Sequence, residues 1–234
     1  MLDTALWSDT NAGALNEARA SALNESEKTM KQVLCWLKVA VLGLSCVSAM
    51  AQPKAPDVLI KEVSIDVIEA VKADKGIQSG EVQKVIALVD AKVMPHVNFQ
   101  RMTASAVGRY WRQATPEQQK SLQDEFKILL VRTYSGALAQ VKDQTVQLRP
   151  MRNSADDTEV VVRTEVRGKG DPIQLDYRLE KSADGWRIYD VNVLGVWLVE
   201  NYRNSFAQDI SAGGIDGLIT KLTERNKAAK SGKT

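Results

Sequence analysis

One stretch decides the fold of this chain, residues 99–141, which read FQRMTASAVGRYWRQATPEQQKSLQDEFKILLVRTYSGALAQV. Its first part repeats apolar residues at steps of three and four, which places them on one face of a helix. A second apolar stripe with the same spacing begins at Leu122. Between the stripes, Thr115 can cap a helix, Pro116 can occupy its first turn, and Gln118 can complete a capping box. The stretch therefore predicts two helices joined by a sharp turn, and it contains no obvious catalytic motif.

The N-terminal region has the layout of a secretory leader. Residues 30–51 combine basic residues, a short apolar run and an Ala-Met-Ala sequence before Gln52, which is typical of a cleaved signal peptide. The apolar run is shorter than the roughly 20 residues that a membrane-spanning helix needs. We expect a signal peptide over residues 30–51 and a disordered upstream extension over residues 1–29, added by a misassigned start codon. The alternative is a leader with a long polar start, or a cytoplasmic arm.

The composition argues against several classes of protein. Both cysteines, Cys35 and Cys46, lie in the expected leader, so the mature chain would offer no thiol to a disulfide, a covalent mechanism or a zinc site. The net charge is only +2, and the charges are interspersed, which argues against a nucleic-acid-binding surface. We therefore expect a secreted protein with one domain over residues 52–224 and a basic, flexible tail over residues 225–234.

The remaining periodicities predict helices before and after a sheet. Helical spacing runs over residues 57–73 and 81–93, and again over 198–222 with a break at Gly213-Gly214. Between these regions the apolar period changes to two, which predicts four strands. They cover residues 145–150, 160–167, 173–180 and 186–194. The expected fold class is α+β, with helices packed on one face of a four-stranded antiparallel meander sheet and enclosing an apolar pocket.

The fourth expected strand breaks the alternation of apolar and polar residues. Trp186 and Ile188 would share a face with Asp190 and Asn192 if the strand were regular. Either a β-bulge re-aims the strand, or both of its faces are covered. The sequence leaves both possibilities open.

Motifs for catalysis or metal binding are missing from the sequence. It holds no glycine-rich phosphate loop, no nucleophile elbow and no histidine-bearing metal motif. His96 is the only histidine, and a lone histidine is more often structural than catalytic. Asp176 and Asp190 lie on adjacent expected strands beside Tyr177 and Tyr189, and the two carboxylates could act as general acid and base. Structural pairing is the favoured interpretation, since Asp176 is expected on the wet face of the sheet.

Four arginines are candidates for contact with an anionic group such as a phosphate. They are Arg109, Arg112, Arg132 and Arg203. A solvated surface is the alternative, because most arginines are exposed. Apolar side chains from helices and sheet converge, and they could form either a filled core or a ligand pocket. A secreted domain without thiols, metal ligands or a nucleophile is consistent with a carrier of an apolar ligand.

Several short segments, taken in order and spacing, carry a family pattern. They are AVGRYWR at 106–112, ATPEQ at 114–118, FKILLVRTY at 126–134, WRIYDV at 186–191, GV at 195–196, NYR at 201–203 and GIDGL at 214–218. Together they resemble the MlaC (toluene-tolerance) family, the periplasmic phospholipid-binding proteins of the maintenance-of-lipid-asymmetry pathway. The resemblance covers nearly all of the expected mature chain. Trp197 departs from it, because the family usually has a serine there, and a bulky ring could reshape the pocket or its rim.

The resemblance implies a carrier that holds a diacyl phospholipid, with its tails in an apolar pocket between sheet and helices and its headgroup towards solvent. It implies a periplasmic protein that exchanges lipid with an outer-membrane lipoprotein complex and an inner-membrane ABC transporter complex. It implies neither enzymatic activity nor a cofactor besides the lipid cargo. The four arginines are then headgroup candidates, and we expect a monomer that binds no metal and no nucleic acid.

Two acyl tails need a large enclosed apolar volume, because each buried methylene contributes about 0.8 kcal/mol. From the apolar pattern, we expect the pocket to be lined by Val107, Tyr110, Trp111, Leu130, Tyr134, Val162, Leu175, Tyr177, Val191, Val193 and Leu198. Two other functions stay open. One is a small-molecule isomerase or hydrolase that uses Asp190 and Tyr189, and the other is a structural or adhesion protein with a filled core.

Overall fold

The computed structural model describes residues 54–141, 143–152, 154 and 156–230. The expected upstream extension and signal peptide lie outside these residues, as does the end of the expected tail. The helical segments before the central stretch are α1 (Pro56–Ala73), α2 (Lys75–Gln78), α3 (Val82–Leu88), a π-helical turn (Val89–Val93) and a 3₁₀ turn (Met94–His96). None of the described helices has the length and the apolar character that crossing a membrane requires.

Local sequence explains where these segments begin and end. Pro56 starts α1, since its missing N–H is not needed in the first turn. Asp74 turns the chain into α2, because its Oδ1 accepts hydrogen bonds from the Gly76 N–H at 2.7 Å and from Lys84 Nζ at 3.0 Å. The helix predicted over 81–93 is confirmed in extent, although its second part is π-helical.

The central stretch forms α4 (Phe99–Val107), a second 3₁₀ turn (Gly108–Gln113) and α5 (Pro116–Ala139). The sequence predicted one helix up to Ala114, but Gly108 has a φ of 66°, a left-handed conformation that ends an α-helix. The predicted capping box is confirmed. The Thr115 N–H donates to Gln118 Oε1 at 3.0 Å, and the Gln118 N–H donates to Thr115 Oγ1 at 3.2 Å.

The described residues form one antiparallel sheet whose strands are ordered as in the sequence. Its five strands are β1 (Thr145–Leu148), β2 (Glu159–Arg167), β3 (Ile173–Ser182), β4 (Gly185–Val193) and β5 (Val196–Trp197). The predicted fold class is confirmed, but the number of strands was wrong by one, because β5 is too short to show a period. Leu194 and Gly195, with φ of 52° and 90°, turn the chain back so that β5 pairs with the end of β4.

A β-bulge in β4 explains the irregular pattern of the fourth strand. Arg178 pairs with Asp190 and Leu179 pairs with Ile188, which leaves Tyr189 as an extra residue. The bulge places the apolar residues before and after it on one sheet face. We call this the inner face, and it carries Val160, Val162, Thr164, Leu175, Tyr177, Leu179, Ile188, Val191 and Val193.

A long C-terminal helix, α6 (Leu198–Lys230), follows β5. It bends at Gly214, whose φ of 70° is not helical, so the break predicted at the glycine pair is confirmed. The helix continues into the segment that the sequence predicted as a flexible tail. There the Asn226 side chain donates to the Glu125 carbonyl at 3.0 Å, which fastens α6 to α5.

The apolar core of the described residues is divided into three packed clusters. The helix cluster joins α4, α5 and α6 through Met102, Ala106, Val107, Leu122, Phe126, Val199, Phe206, Ile210, Leu218 and Leu222. The sheet cluster joins α1 to the inner face through Leu59, Ile60, Val63, Val160, Val162, Leu179 and Ile188. The N-terminal cluster joins α1, α2, α3 and α5 through Val71, Ile77, Val85, Leu88 and Val131. Half-buried residues join the clusters, with Val97 and Val191 between the helix and sheet clusters and Val67 between the sheet and N-terminal clusters.

Candidate functional site

Burial along the inner face of β3, the middle strand of the sheet, is uneven, because Leu179 is fully buried whereas Leu175 and Tyr177 are half-buried. Among the described residues α1 lies over β1 and β2 and reaches β3 at Leu179, while α4 and α6 lie over β4. Helix α5 packs on α6 and on the N-terminal helices, and not closely on the sheet. On the inner face Leu175, Tyr177, Val191 and Val193 stay half-buried, and they face the region between α1 and α6. We call this region the central space.

Tyr177 gives the clearest sign of this space. It lies in the middle of β3, against the sheet cluster, and burial raises the pKa of its hydroxyl above the usual value. Even so, the residue is only half-buried and keeps accessible surface. Tyr177 therefore keeps surface that a ligand on the inner face could contact.

Half-buried apolar residues also lie where the clusters meet. Val97 and Val191 each contact both the helix cluster and the sheet cluster, and Val67 contacts both the sheet cluster and the N-terminal cluster. Leu130 and Tyr202 border the helix cluster in the same way. Protein interiors are packed about as densely as organic crystals, and a filled core would bury these residues. The central space is therefore bordered mainly by apolar side chains.

The structure brings together several side chains that were expected to line a pocket. On the inner face Leu175 pairs with Val193, and Tyr177 pairs with Val191, so the four are neighbours. All four are half-buried. Tyr134 on α5 is half-buried as well, and burial raises its pKa, with a smaller effect from Tyr202.

The other expected lining residues are packed more tightly or lie elsewhere. Val107 is buried in the helix cluster, Val162 is buried in the sheet cluster, and Leu198 is buried at the start of α6. Tyr110 and Trp111 border the helix cluster from the 3₁₀ turn before α5. Contact of any of these side chains with a ligand stays a prediction.

Sequence reasoning missed three residues that border the central space: Ser64, Val67 and Tyr202. Val67 and Tyr202 belong to apolar stripes, and helical spacing alone could have singled them out. Ser64 is a polar residue inside such a stripe, and only its interaction with the Tyr177 hydroxyl reveals its place.

A separate surface groove of about 500 Å³ lies between the 3₁₀ turn at Gly108–Gln113 and α6. It is lined by Arg109, Tyr110, Ala207, Gln208, Ser211 and Ala212. Arg109 Nη2 donates to the Tyr110 hydroxyl at 2.9 Å. Hydrogen bonds with Ser211 and with Arg109 lower the pKa of Tyr110. No strand residue lines the groove, which separates Arg109 from the inner face.

The other headgroup candidates are not gathered at one place. Arg203 Nε donates to the Ser105 carbonyl at 3.0 Å, which ties α6 to α4. Arg112 is exposed on the 3₁₀ turn. Arg132 is two positions from Leu130 and hence on a nearly opposite face of α5. Its Nε is buried and has no hydrogen-bond partner among the described residues.

Asp190 and Tyr189, the pair considered for catalysis, are both engaged in structural contacts. Asp190 is 1% exposed on the outer face of the sheet, and burial is the largest of the influences that together raise its pKa. Its Oδ1 accepts from the Val199 N–H at 3.1 Å, at the start of α6, and its Oδ2 accepts from Arg178 at 3.0 Å. The Tyr189 hydroxyl donates to Glu159 Oε2 at 2.9 Å. The fourth strand thus has both a bulge and a covered outer face.

His96 and Asp176 occupy ordinary structural positions. His96 is half-buried, and burial lowers its pKa together with the nearby charges of Lys54 and Arg187. Asp176 Oδ2 lies 3.9 Å from Arg163 Nε. Within the described residues, no three or more His, Cys, Asp or Glu side chains are grouped so that they could hold a metal ion.

The arrangement of elements agrees with a known family. The family model described as MlaC protein matches residues 61–224. The chain belongs to the MlaC family. The match takes in the central stretch, the whole sheet and most of α6.

Two relatives carry names from the same family. The Intermembrane phospholipid transport system binding protein MlaC of Haemophilus influenzae is 22% identical over 174 residues, which cover 73% of this chain and 81% of that protein. The Toluene tolerance protein ttg2D of Pseudomonas putida is 28% identical over 128 residues, which cover 52% of this chain and 59% of that protein. This chain is similar to both.

A solved structure is also similar to this MlaC protein. It is the phospholipid-binding protein from Ralstonia solanacearum in complex with a phospholipid, and it is 49% identical with a TM-score of 0.74. The superposition covers 76% of this chain and 99% of that chain. The two proteins therefore share their fold over practically the whole length of the solved relative.

Trp197 is the residue whose ring could reshape the pocket or its rim. It lies on β5, paired with Asn192 of β4. The Arg178 guanidinium carbon lies 3.8 Å from the centre of the Trp197 ring, a distance at which cation–π attraction acts. The ring thus covers the Arg178–Asp190 ion pair on the outer face, away from the inner face.

Proposed function

We propose that this protein is a periplasmic phospholipid carrier. It holds a diacyl phospholipid with the acyl tails in the central space and the headgroup towards solvent. It shuttles this lipid between an outer-membrane lipoprotein complex and an inner-membrane ABC transporter complex. This exchange maintains the lipid asymmetry of the outer membrane.

The observation that carries the proposal is the half-buried apolar face of β3 in the middle of a packed domain. Leu175 and Tyr177 keep accessible surface there, although helices enclose them on several sides. The solved relative from Ralstonia solanacearum, which is 49% identical, is a phospholipid-binding protein in complex with a phospholipid. That likeness supports the same class of cargo for this chain.

The physical chemistry of acyl chains fits such a space. Each methylene that leaves water for apolar surroundings contributes about 0.8 kcal/mol, so an apolar cavity that admits whole chains binds them strongly. A carrier must also release its lipid. Walls that belong to three separate clusters can separate locally at a lower cost in free energy than one close-packed core.

We further propose that the protein has no catalytic activity. An isomerase or hydrolase would need an acid–base pair that faces the ligand. Asp190 instead accepts hydrogen bonds from Arg178 and from the first turn of α6, and the Tyr189 hydroxyl donates to Glu159. A purely structural role with a filled core fits poorly with the half-buried inner face.

Extraction of the purified protein tests the proposal. The full chain is produced with its leader in a Gram-negative host and purified from the periplasmic fraction without detergent. Its lipids are extracted with organic solvent and quantified by mass spectrometry against the amount of protein. We expect stoichiometric phospholipid in the periplasmic fraction. Repeated recovery of lipid-free protein from this host would overturn the proposal.

A further inference from the structure

The surface groove between the 3₁₀ turn at Gly108–Gln113 and α6 holds a positive charge that no carboxylate of the described residues neutralises. Of the described residues that line the groove, only Arg109 is charged, and its guanidinium forms no ion pair with any of them. Asp209 follows the lining residue Gln208 in the sequence, but it pairs with Lys221 instead. The groove therefore attracts anions.

A chain of hydrogen bonds holds the Arg109 guanidinium at the groove. Arg109 Nη2 donates to the Tyr110 hydroxyl at 2.9 Å, and the guanidinium carbon lies 4.9 Å from the centre of the Tyr110 ring. Ser211 Oγ donates its one proton to the Ala207 carbonyl at 2.8 Å. The Tyr110 hydroxyl is therefore the donor in its 3.4 Å contact with Ser211 Oγ. The chain links the arginine to α6, so the guanidinium is positioned before any ligand arrives.

Most of the hydrogen-bond donors at the groove have no acceptor in the described part of the protein. A guanidinium has five N–H donors, and the hydrogen bond to Tyr110 uses one of those of Arg109. A 3₁₀ helix has about three residues per turn, so Arg112 starts from the same side of the turn as Arg109. Arg112 is exposed, and it forms no ion pair with a described residue either. The Gln208 amide on the opposite wall adds further donors.

This number of donors fits a phosphate group better than a carboxylate. One guanidinium fork already fills the two oxygens of a carboxylate, whereas a phosphate ester has further oxygens that can accept from a second arginine or an amide. The groove volume of about 500 Å³ is in the range of small-molecule sites. Ala207, Ala212 and the ring of Tyr110 line its remaining surface, and they leave room for the uncharged part of an ester.

We infer that this groove binds a phosphate group, carried either by a soluble phosphate ester or by a lipid headgroup at a membrane surface. No strand residue lines the groove, so the site is separate from the central space and the inference goes beyond the proposed function. It gives Arg109 a ligand other than the cargo lipid.

Two titrations of the lipid-loaded protein test the inference and distinguish the two sources of phosphate. Calorimetry measures the binding of glycerol 3-phosphate, and cosedimentation measures the binding to vesicles of phosphatidylglycerol and phosphatidylcholine. We expect saturable binding of at least one of the two, weakened by added salt because the site is exposed. Binding of both assigns the site to phosphate esters in general, whereas binding of the vesicles alone assigns it to headgroups. Binding of neither overturns the inference.

Arg109→Gln should lower the affinity about tenfold or more, which is the order of a lost hydrogen bond between charged groups. Arg112→Gln should lower it less. Arg225→Gln is the matched control, because it removes the same charge from another exposed position on α6, and it should bind like the wild type. An unchanged affinity in Arg109→Gln, or an equal loss in Arg225→Gln, overturns the inference.

Succinate tests the choice of phosphate over carboxylate. It is titrated in parallel with glycerol 3-phosphate, and it should bind more weakly to the wild type. Binding of succinate as tight as that of glycerol 3-phosphate overturns the assignment to phosphate. The lipid content of Arg109→Gln, measured by extraction, should equal that of the wild type. A lipid-free wild type overturns the proposed function and leaves the result at the groove standing, so the two failures can be told apart.

Discussion

Placing a larger side chain on the inner face should weaken lipid binding and leave the protein folded. Leu175 is half-buried on the inner face of β3, next to Val193 on β4. In Leu175→Trp the indole takes the room of about three methylenes of an acyl chain, which at about 0.8 kcal/mol each removes about 2.4 kcal/mol of binding free energy. That loss corresponds to an affinity about fiftyfold lower.

Val162 gives the opposite case on the same sheet face. It is 1% exposed within the sheet cluster, although the alternation along its strand resembles that around Leu175. In Val162→Trp the ring must displace packed neighbours, which costs about 1–3 kcal/mol of stability. We therefore expect this variant to lose unfolding free energy whether or not lipid is bound.

Two measurements separate the variants. Mass spectrometry gives the lipid content per protein after purification without detergent, and urea unfolding gives the free energy of unfolding. Gln174→Trp adds the same ring at the neighbouring exposed position, and it should match the wild type in both. If Leu175→Trp stays folded and takes up as much lipid as the wild type when the two compete for limiting lipid, the tails do not lie at β3. If it unfolds as readily as Val162→Trp, the inner face is packed there and the central space is refuted.

Three further changes test other parts of the structure by urea unfolding. Gly214→Ala should lower the free energy of unfolding by about 2 kcal/mol, because the φ of 70° and ψ of −173° at this bend suit glycine almost alone. Gly213→Ala is its control and should not lower stability. Asp190→Ala should cost about 3 kcal/mol, since it breaks a buried ion pair, and an unchanged stability would refute the capping role of this carboxylate. The pKa of Glu159 in the folded protein is lowered from 4.5, chiefly by the hydrogen bond from Arg101. The ionised carboxylate therefore stabilises the fold above pH 4.5. This contribution is lost as the pH falls through the lower pKa of the folded state. Glu159→Gln should therefore be less stable than the wild type at neutral pH and show a flatter decline in acid, and identical acid profiles would contradict this reasoning.

Sequence reasoning succeeded where the signal is local. The capping box at Thr115 and the bend at Gly214 follow from the residues at those positions and their immediate neighbours, and both are present. The family pattern was recognised for the same reason, because it consists of short segments. The irregular alternation around Tyr189 allowed two explanations, and the bulge could be established only once the pairing with β3 was known.

Sequence reasoning fell short where the answer depends on the distance between elements. Val162 and Leu175 carry the same alternation signal, yet one is packed under α1 and the other faces the central space. Tyr110 belongs to an apolar stripe by helical spacing, but the 3₁₀ turn that begins at Gly108 has a tighter repeat than an α-helix. Its hydroxyl therefore reaches a surface groove. The apolar periodicity of a strand or helix identifies its apolar face, but it does not give the distance to the element on the opposite side.

The extra residue at Tyr189 has a consequence for how charge is distributed through the sheet. If Tyr189 paired regularly with Arg178 and formed no bulge, Asp190 would lie opposite Tyr177 and its carboxylate would point to the inner face. The ion pair with Arg178 would be lost, and the first turn of α6 would have no acceptor for its backbone. The bulge thus absorbs one residue and keeps the apolar side chains of this short strand on its front and an anchored anion on its back.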